Sequence, residues 1–312
     1  FFLWVIYCFI TLPSLTGLGN KTRLPSISVL DAQGNIVGSL GDVYGGILQK
    51  NDIPKYLLNA VISLEDKRFY THNGVDLRGI LRAMYINIKE LRYAQGASTI
   101  TQQLSKLIFL DTDKNLSRKL KELMISFYLE YSYNKDEILL MYLNRVYLGS
   151  GLYGVKAAAK RYFNKNPKDL SLAESALLAG MLKAPSKLSP LININLSTQR
   201  AKLVLSLLLN QRLISESQNE SALYDLKGMK KKKFYDPSSA RYFIDWIYTL
   251  TPDEILKNRK DLHILSTMDF RLQNKTDEIV KQIFQKRSDN IQTAIVVMDY
   301  SGAVKTIVGG NS

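Results

Sequence analysis

The residues able to do chemistry gather in three short clusters. In the first, Leu64-Glu65-Asp66-Lys67-Arg68-Phe69-Tyr70-Thr71-His72-Asn73-Gly74-Val75-Asp76, a helical pattern runs into ionisable side chains bounded by a glycine turn. Its carboxylates adjoin the apolar Val61, Leu64 and Phe69. An apolar wall disfavours the charged form of a carboxylate and raises its pKa, which tunes a general base toward neutral pH. An ordinary polar helix end would have the same composition, and the segment alone leaves both readings open. The second cluster, Gly96-Ala97-Ser98-Thr99-Ile100-Thr101-Gln102-Gln103-Leu104-Ser105-Lys106, joins glycine and small hydroxyl residues to a helix start. Backbone N–H groups and the positive end of a helix dipole there make a seat for an anion, with Lys106 about two turns down. Composition alone is accounted for by a plain capped helix. The third cluster, Arg118-Lys119-Leu120-Lys121-Glu122, places Arg118 and Glu122 four apart on one helix face. That spacing also suits a surface ion pair worth a few tenths of a kcal/mol. The order is the reverse of the one that best stabilises a helix, which points weakly to another role.

These clusters sit in a chain of 312 residues, longer than one hydrophobic core usually supports, so two domains are expected, or one domain and a fragment. Hydrophobic residues at 46%, with 18 Tyr and 11 Phe, exclude a disordered chain. A net charge of +14 and a pI near 9.6 call for an anionic partner: nucleic acid, an acidic membrane surface or a phosphorylated substrate. The lone Cys8 excludes an intramolecular disulfide framework and a cysteine-built metal site, and two histidines make a zinc centre unlike this chain.

The positioning elements follow from periodicity and turn residues. Residues 1–19 carry no charge, and 1–12 are almost wholly apolar, about half a bilayer span. They read as the outer part of a transmembrane helix ended by Pro13 and Gly17, with a buried soluble helix as the alternative. Residues 20–41 read as a hairpin and linker, Ile27 and Val29 alternating before the turn at Asp31-Ala32-Gln33-Gly34-Asn35 and Ile36 and Val37 following it. From Asp52 to about Leu213 the pattern is helical nearly throughout, with Asp52 as cap, Pro54 in the first turn, and capping pairs Thr99/Gln102 and Ser171/Glu174. Leu116, Leu120, Leu123, Met124, Phe127 and Tyr131 form one amphipathic stripe. In 77–92, Leu81, Met84, Tyr85, Ile88 and Leu91 are interleaved with Arg78, Arg82, Lys89 and Arg92, which fits an interfacial helix or a helix packed on its own core. Residues 214–261, with the run Lys230-Lys231-Lys232-Lys233, read as a linker. From 262 a strand, a helix and a hairpin around Tyr300-Ser301-Gly302 begin a second domain.

Five runs in order carry a family resemblance: Glu-Asp-Lys-Arg-Phe-Tyr-Thr-His-Asn-Gly-Val-Asp (65–76), Gly-Ala-Ser-Thr-Ile-Thr-Gln-Gln-Leu-Ser-Lys (96–106), Arg-Lys-Leu-Lys-Glu (118–122), Ile-Leu-Leu-Met-Tyr-Leu-Asn-Arg-Val-Tyr-Leu-Gly (138–149) with Gly-Val-Lys-Ala-Ala-Ala-Lys-Arg-Tyr-Phe (154–163), and Leu-Ala-Glu-Ser-Ala-Leu-Leu-Ala-Gly (172–180). They resemble the motifs of the peptidoglycan glycosyltransferases of family 51. The stretches 266–273 and 294–310 resemble the start of the transpeptidase domain of class A penicillin-binding proteins. Ala97 stands where the family often has a second glycine, and Leu107 where an asparagine commonly follows the lysine. The second departure removes a polar side chain from the edge of the site.

The resemblance implies a mainly α, lysozyme-like transferase domain over 42–213 and a truncated α+β transpeptidase start over 262–312. It implies polymerisation of lipid II into β-1,4-linked glycan with loss of undecaprenyl pyrophosphate and inversion. Glu65 matches the general base and Glu122 the second glutamate, on the leaving-group side. Asp66 and Arg68 match support positions beside the base, while Ser98, Gln102, Gln103, Lys106 and Arg118 match groups lining the donor and its pyrophosphate. It implies a divalent cation, Mg or Mn, held by pyrophosphate and a carboxylate, with no particular metal ligand assigned. The expected partners are lipid II, the nascent strand, the membrane and other cell-wall synthesis proteins, not nucleic acid. The expected location is the bacterial inner membrane, single-pass, with the catalytic domain on the outer, periplasmic side. A lysozyme-like lytic glycosidase acting on finished glycan is the main alternative. A basic membrane-bound module without catalysis would leave the motifs as coincidence.

The single Ser-x-x-Lys, Ser132-Tyr133-Asn134-Lys135, has no Lys-Thr-Gly beside it, since Ile307 follows Lys305-Thr306. A fluorescent penicillin is therefore expected to leave this chain unlabelled; stoichiometric label that disappears in Ser132→Ala would overturn that expectation.

Overall fold

The computed structural model describes residues 2–12, 27–40, 43–44, 47–91, 96–108, 116–229, 237–252, 254–255, 262–284 and 293–309. Pro13, Gly17 and the lysine run 230–233 lie outside them. The chain divides into two compact units, Phe1–Arg23 with Tyr44–Lys233 and Leu24–Val43 with Phe234–Ser312.

The first unit is helical. The helix Leu172–Met181 has all ten of its residues buried and is its central post. A helix apolar on every side must be covered on every side, and Lys55–Glu65, Pro190–Asn210 and Glu216–Met229 all pack on it. Its one carboxylate, Glu174, is compensated: Ser171 N–H donates at 2.9 Å and Lys165 Nζ at 2.8 Å. The capping pair Ser171/Glu174 is present as expected. Pro54, not Asp52, is the N-cap of Lys55–Glu65. Asp52 instead ends a short 3-10 turn, Lys50–Asp52, where its carboxylate accepts from Gln49 N–H.

Around this post the elements of the three clusters are laced by polar contacts. Ile100–Ile108 packs on Leu116–Ser132 and Lys135–Arg145. Thr101 Oγ1 donates to Glu130 at 2.5 Å, and Lys135 Nζ reaches both Glu130 at 2.8 Å and the His72 carbonyl at 2.5 Å. The same ammonium stands 4.7 Å from the centroid of the fully buried Phe69 ring. Lys135 is thus a structural brace, and Ser132 is an exposed helix end.

Several expectations need correction. The 214–261 segment is not a linker: Glu216–Met229 buries Ala222, Leu226 and Met229, and Arg241–Leu250 buries Phe243 and Ile244. Polar neighbours mask a spacing of four and three in the first of these helices. The hairpin of 20–41 belongs to the second unit, where Ile27–Leu30 pairs antiparallel with Ile36–Leu40 and parallel with Leu262–Leu265. A partner more than two hundred positions away leaves no local trace. Leu116–Ser132 turns inward not the apolar stripe but Glu122, Ile125, Ser126 and Leu129, leaving Phe127 and Tyr131 exposed. In Leu77–Lys89 only Gly79 and Ala83 are buried, so its large apolar side chains face out. The first helix, Phe2–Ile10, has nine residues, and among the described residues no helix is long and apolar enough to cross a membrane.

The second unit joins that sheet to helix Phe270–Phe284 and to the antiparallel pair Ala294–Met298 and Val304–Gly309. Val29, Val37, Phe243, Ile244 and Met268 form its core.

Removing the buried Phe69 ring, which packs under the first cluster, should cost about 3–5 kcal/mol. Urea unfolding of Phe69→Ala checks this, and a loss below about 1 kcal/mol would show that the ring is not part of the unit's core.

Candidate active site

Glu65 is the last residue of Lys55–Glu65, at the point where the chain leaves the helix through Asp66. Burial raises its pKa above the ordinary glutamate value and is the dominant influence. The Asp66 charge pushes in the same direction, while the Gln103 hydrogen bond and the charges of Arg200 and Lys183 oppose it. Asp66 is not a second free base. Both its oxygens lie 3.0 Å from His72 Nε2, and one accepts Ile100 N–H at 3.0 Å. It therefore clamps the end of the first cluster to the start of helix Ile100–Ile108. Arg68 pairs with Asp76, which also accepts Gly79 N–H at the N-terminus of Leu77–Lys89. Both side chains are spent on holding together the segment that follows Glu65.

The second cluster is divided in use. Thr99 and Gln102 form the reciprocal cap: Thr99 N–H donates to Gln102 Oε1 at 3.1 Å, and Gln102 N–H to Thr99 Oγ1 at 3.1 Å. The buried Gln102 thereby shapes the helix start through its amide oxygen. Thr99 Oγ1 also donates to the Gly74 carbonyl at 2.6 Å. Gly74 has φ +79°, and a Cβ there would stand 3.3 Å from the Ser126 carbonyl oxygen, so glycine is required for this close approach. Gln103 turns its Nε2 to Glu65 Oε2 at 2.8 Å. Ser98 is exposed, and Lys106 is exposed with no ionic partner among the described residues.

The third cluster centres on Glu122, which is only 7% exposed. Arg118 Nε lies 3.2 Å from one carboxylate oxygen and Lys119 Nζ 3.0 Å from the other. The helix carrying them is stitched to Ile100–Ile108 by Ser105 and Ser126, whose hydroxyl oxygens are 2.9 Å apart. Ser126 Oγ in turn donates to the Glu122 carbonyl at 2.6 Å. Gln103 and Glu122 therefore sit on two directly packed helices, and Glu65 joins them through Gln103.

Sequence reasoning passed over Lys119, Arg200 and Lys183. Lys119 is three residues from Glu122, a spacing that could have disclosed it. Arg200 and Lys183 act on Glu65 from outside the clusters, and no local pattern marks them. Among the described residues no three His, Cys, Asp or Glu side chains converge on a metal position. This arrangement fits a cation only if most of its ligands come from a bound phosphate group, as is common for Mg²⁺.

The helical unit thus holds a half-buried carboxylate with a raised pKa, Glu65, hydrogen-bonded to a helix that packs on the one bearing a second carboxylate, Glu122, flanked by cations. Residues 33–209 match the protein family described as Transglycosylase. The chain belongs to that family. It is 41% identical over 212 residues to penicillin-binding protein 1A of Neisseria gonorrhoeae, covering 68% of this chain and 27% of that protein. It is 34% identical over 295 residues to penicillin-binding protein 1F of Bacillus subtilis, covering 91% of this chain and 41% of that protein. The chain thus spans well under half the length of these relatives. A crystal structure of penicillin-binding protein 1A from Haemophilus influenzae aligns with TM-score 0.44 and 21% identity, over 83% of this chain and 29% of that one.

Because folding raises the Glu65 pKa, its ionisation opposes folding. That penalty is absent below the ordinary glutamate value and fully present above the raised one. Glu65→Gln should therefore melt at or above the parent's temperature at neutral pH, an advantage that shrinks at about pH 4. Calorimetry at both pH values tests this; a variant destabilised more at neutral than at acid pH would contradict the assigned burial effect.

Proposed function

We propose that this chain is the glycosyltransferase part of a class A penicillin-binding protein and polymerises lipid II. The observation that carries the proposal is Glu65, half-buried with a raised pKa while Gln103 holds its carboxylate at 2.8 Å. A base with those properties is poised to take a proton from a weakly acidic hydroxyl. The 4-hydroxyl of the acceptor sugar attacks the anomeric carbon of the growing strand. The C–O bond to undecaprenyl pyrophosphate breaks with inversion, and Glu65 receives the hydroxyl proton. Negative charge develops on the departing pyrophosphate, where Lys106, Arg118 and Lys119 supply cations and Ser98 a hydroxyl. Glu122 holds Arg118 and Lys119 in register, which supports its place on the leaving-group side. A divalent Mg or Mn ion, held by the pyrophosphate with Glu122 as the protein carboxylate, would neutralise part of that charge when bound.

The helical unit is taken as lysozyme-like, and 262–309 as the opening of a transpeptidase domain. The protein is placed at the bacterial inner membrane, single-pass, with this unit on the outer side. The outward apolar side chains of Leu77–Lys89, interleaved with Arg78, Arg82 and Lys89, support contact with an anionic membrane surface. Residues 1–19 remain the proposed outer part of the span, and other cell-wall synthesis proteins remain candidate partners.

Polymerisation of lipid II in detergent is the test. Glu65→Gln should lose about 10²- to 10⁴-fold in rate. Arg118→Ala and Lys106→Ala should each lower turnover strongly. Lys121→Ala should not, because its Nζ is directed to the Thr11 carbonyl at 3.2 Å. Retained activity in Glu65→Gln would refute the base, equal losses in all three cation variants would indicate general electrostatics, and hydrolysis of lipid-free glycan would favour a lytic enzyme.

A further inference from the structure

We propose that Tyr142 is a positioning residue for the base: its hydroxyl locks the Gln103 amide in the orientation that turns an N–H toward Glu65. This rests on the reading of Glu65 as the base. Tyr142 lies in helix Lys135–Arg145, is 1% exposed, and donates its O–H to Gln103 Oε1 at 3.0 Å. The other end of the same amide donates from Nε2 to Glu65 Oε2 at 2.8 Å. Three side chains from three helices thus form one directed chain, phenol to amide to carboxylate.

The direction has a chemical consequence. A primary amide can flip, exchanging a donor for an acceptor at each end. An ionised carboxylate accepts only, so a flipped amide would set oxygen against oxygen. A protonated Glu65 could instead donate to the flipped amide. The Gln103 orientation therefore selects which form of Glu65 is stabilised, and the far end of the amide selects the orientation. Tyr142 occupies that far end as a donor. Burial, and then the Glu65 charge, push its own pKa well above the ordinary phenol value, so it does not lose the proton it donates. Phenylalanine would fill the same space without the preference.

The other charged groups acting on Glu65 are Arg200 of helix Pro190–Asn210, Lys183 beyond helix Leu172–Met181, and its neighbour Asp66. Replacing Tyr142 changes none of them. The expected effect of Tyr142→Phe is thus confined to the hydrogen bond that favours the carboxylate. The protonated form gains ground, and the acidic limb of the rate profile moves to higher pH.

The test is the pH dependence of lipid II polymerisation by the parent chain, Tyr142→Phe, Gln103→Met and the double variant. In Tyr142→Phe the acidic limb should rise by about 0.5–1 pH unit, with the plateau rate above it within about threefold and KM within about twofold of the parent. Gln103→Met should move the limb in the same direction, and adding Tyr142→Phe to it should move the limb no further. An unmoved limb in folded Tyr142→Phe, or an additional shift in the double variant, would overturn the proposal. If Tyr142→Phe does not fold, an unmoved limb in Gln103→Met overturns it equally. Activity surviving in Glu65→Gln would instead remove the base assignment beneath it.

Discussion

A carboxylate largely withdrawn from water must still find partners, and much of the helical unit's polar network bears on how Glu65 meets that constraint. Burial alone would leave a charge with no compensation. Full pairing with a cation would instead lower the pKa. The protein takes an intermediate course: a neutral amide, Gln103, donates one hydrogen bond, and the charges of Arg200 and Lys183 act alongside it. The carboxylate that is more fully satisfied is its neighbour, Asp66, held by His72 and Ile100 N–H. Two adjacent acids are thereby given different surroundings, Asp66 fully engaged in joining elements and Glu65 held by a single amide.

The remainder of the unit secures this division. Asp66 joins the base segment to the start of Ile100–Ile108, Thr99 joins the same start to Gly74, and Lys135 draws His72 toward Glu130. Each link reaches the helix that carries Gln103 or an element packed on it, so the amide beside Glu65 is fixed from several sides. Ser105 and Ser126 then connect that helix to the one carrying Glu122. Small hydroxyl residues suit this contact because they satisfy one another at short range and hold the helices close.

The clusters themselves were legible in the sequence because each is local: Glu65 at a helix end, the Thr99/Gln102 cap, and Arg118 four positions before Glu122. Helix existence was also legible through most of 52–213. Direction was less so. The apolar stripe of Leu116–Ser132 follows helical spacing, yet the buried face is the one that joins Ile125 and Leu129 to Glu122 and Ser126, and the two polar residues on it hide that face from a hydrophobic pattern. Gln102 and Gln103 look interchangeable as a pair of amides, but the roughly 100° turn per helical residue points one at its own cap and the other at Glu65. What depends on distant partners was illegible: the parallel pairing of Ile27–Leu30 with Leu262–Leu265, and the approach of Arg200 to Glu65.

That last approach ties packing to chemistry. Gly180 lies in the fully buried helix Leu172–Met181, and a Cβ placed there would stand 3.0 Å from Arg200 Cγ. Helix Pro190–Asn210 can bring its arginine close because the facing residue has no side chain. A methyl group at Gly180 would press on the arginine stem, and the charge at its tip is one of the influences that keep the Glu65 pKa from rising further. One of the charges acting on Glu65 is thus carried by a side chain whose stem packs on Gly180. A side chain at Gly180 would therefore disturb the packing of the helix that carries this arginine.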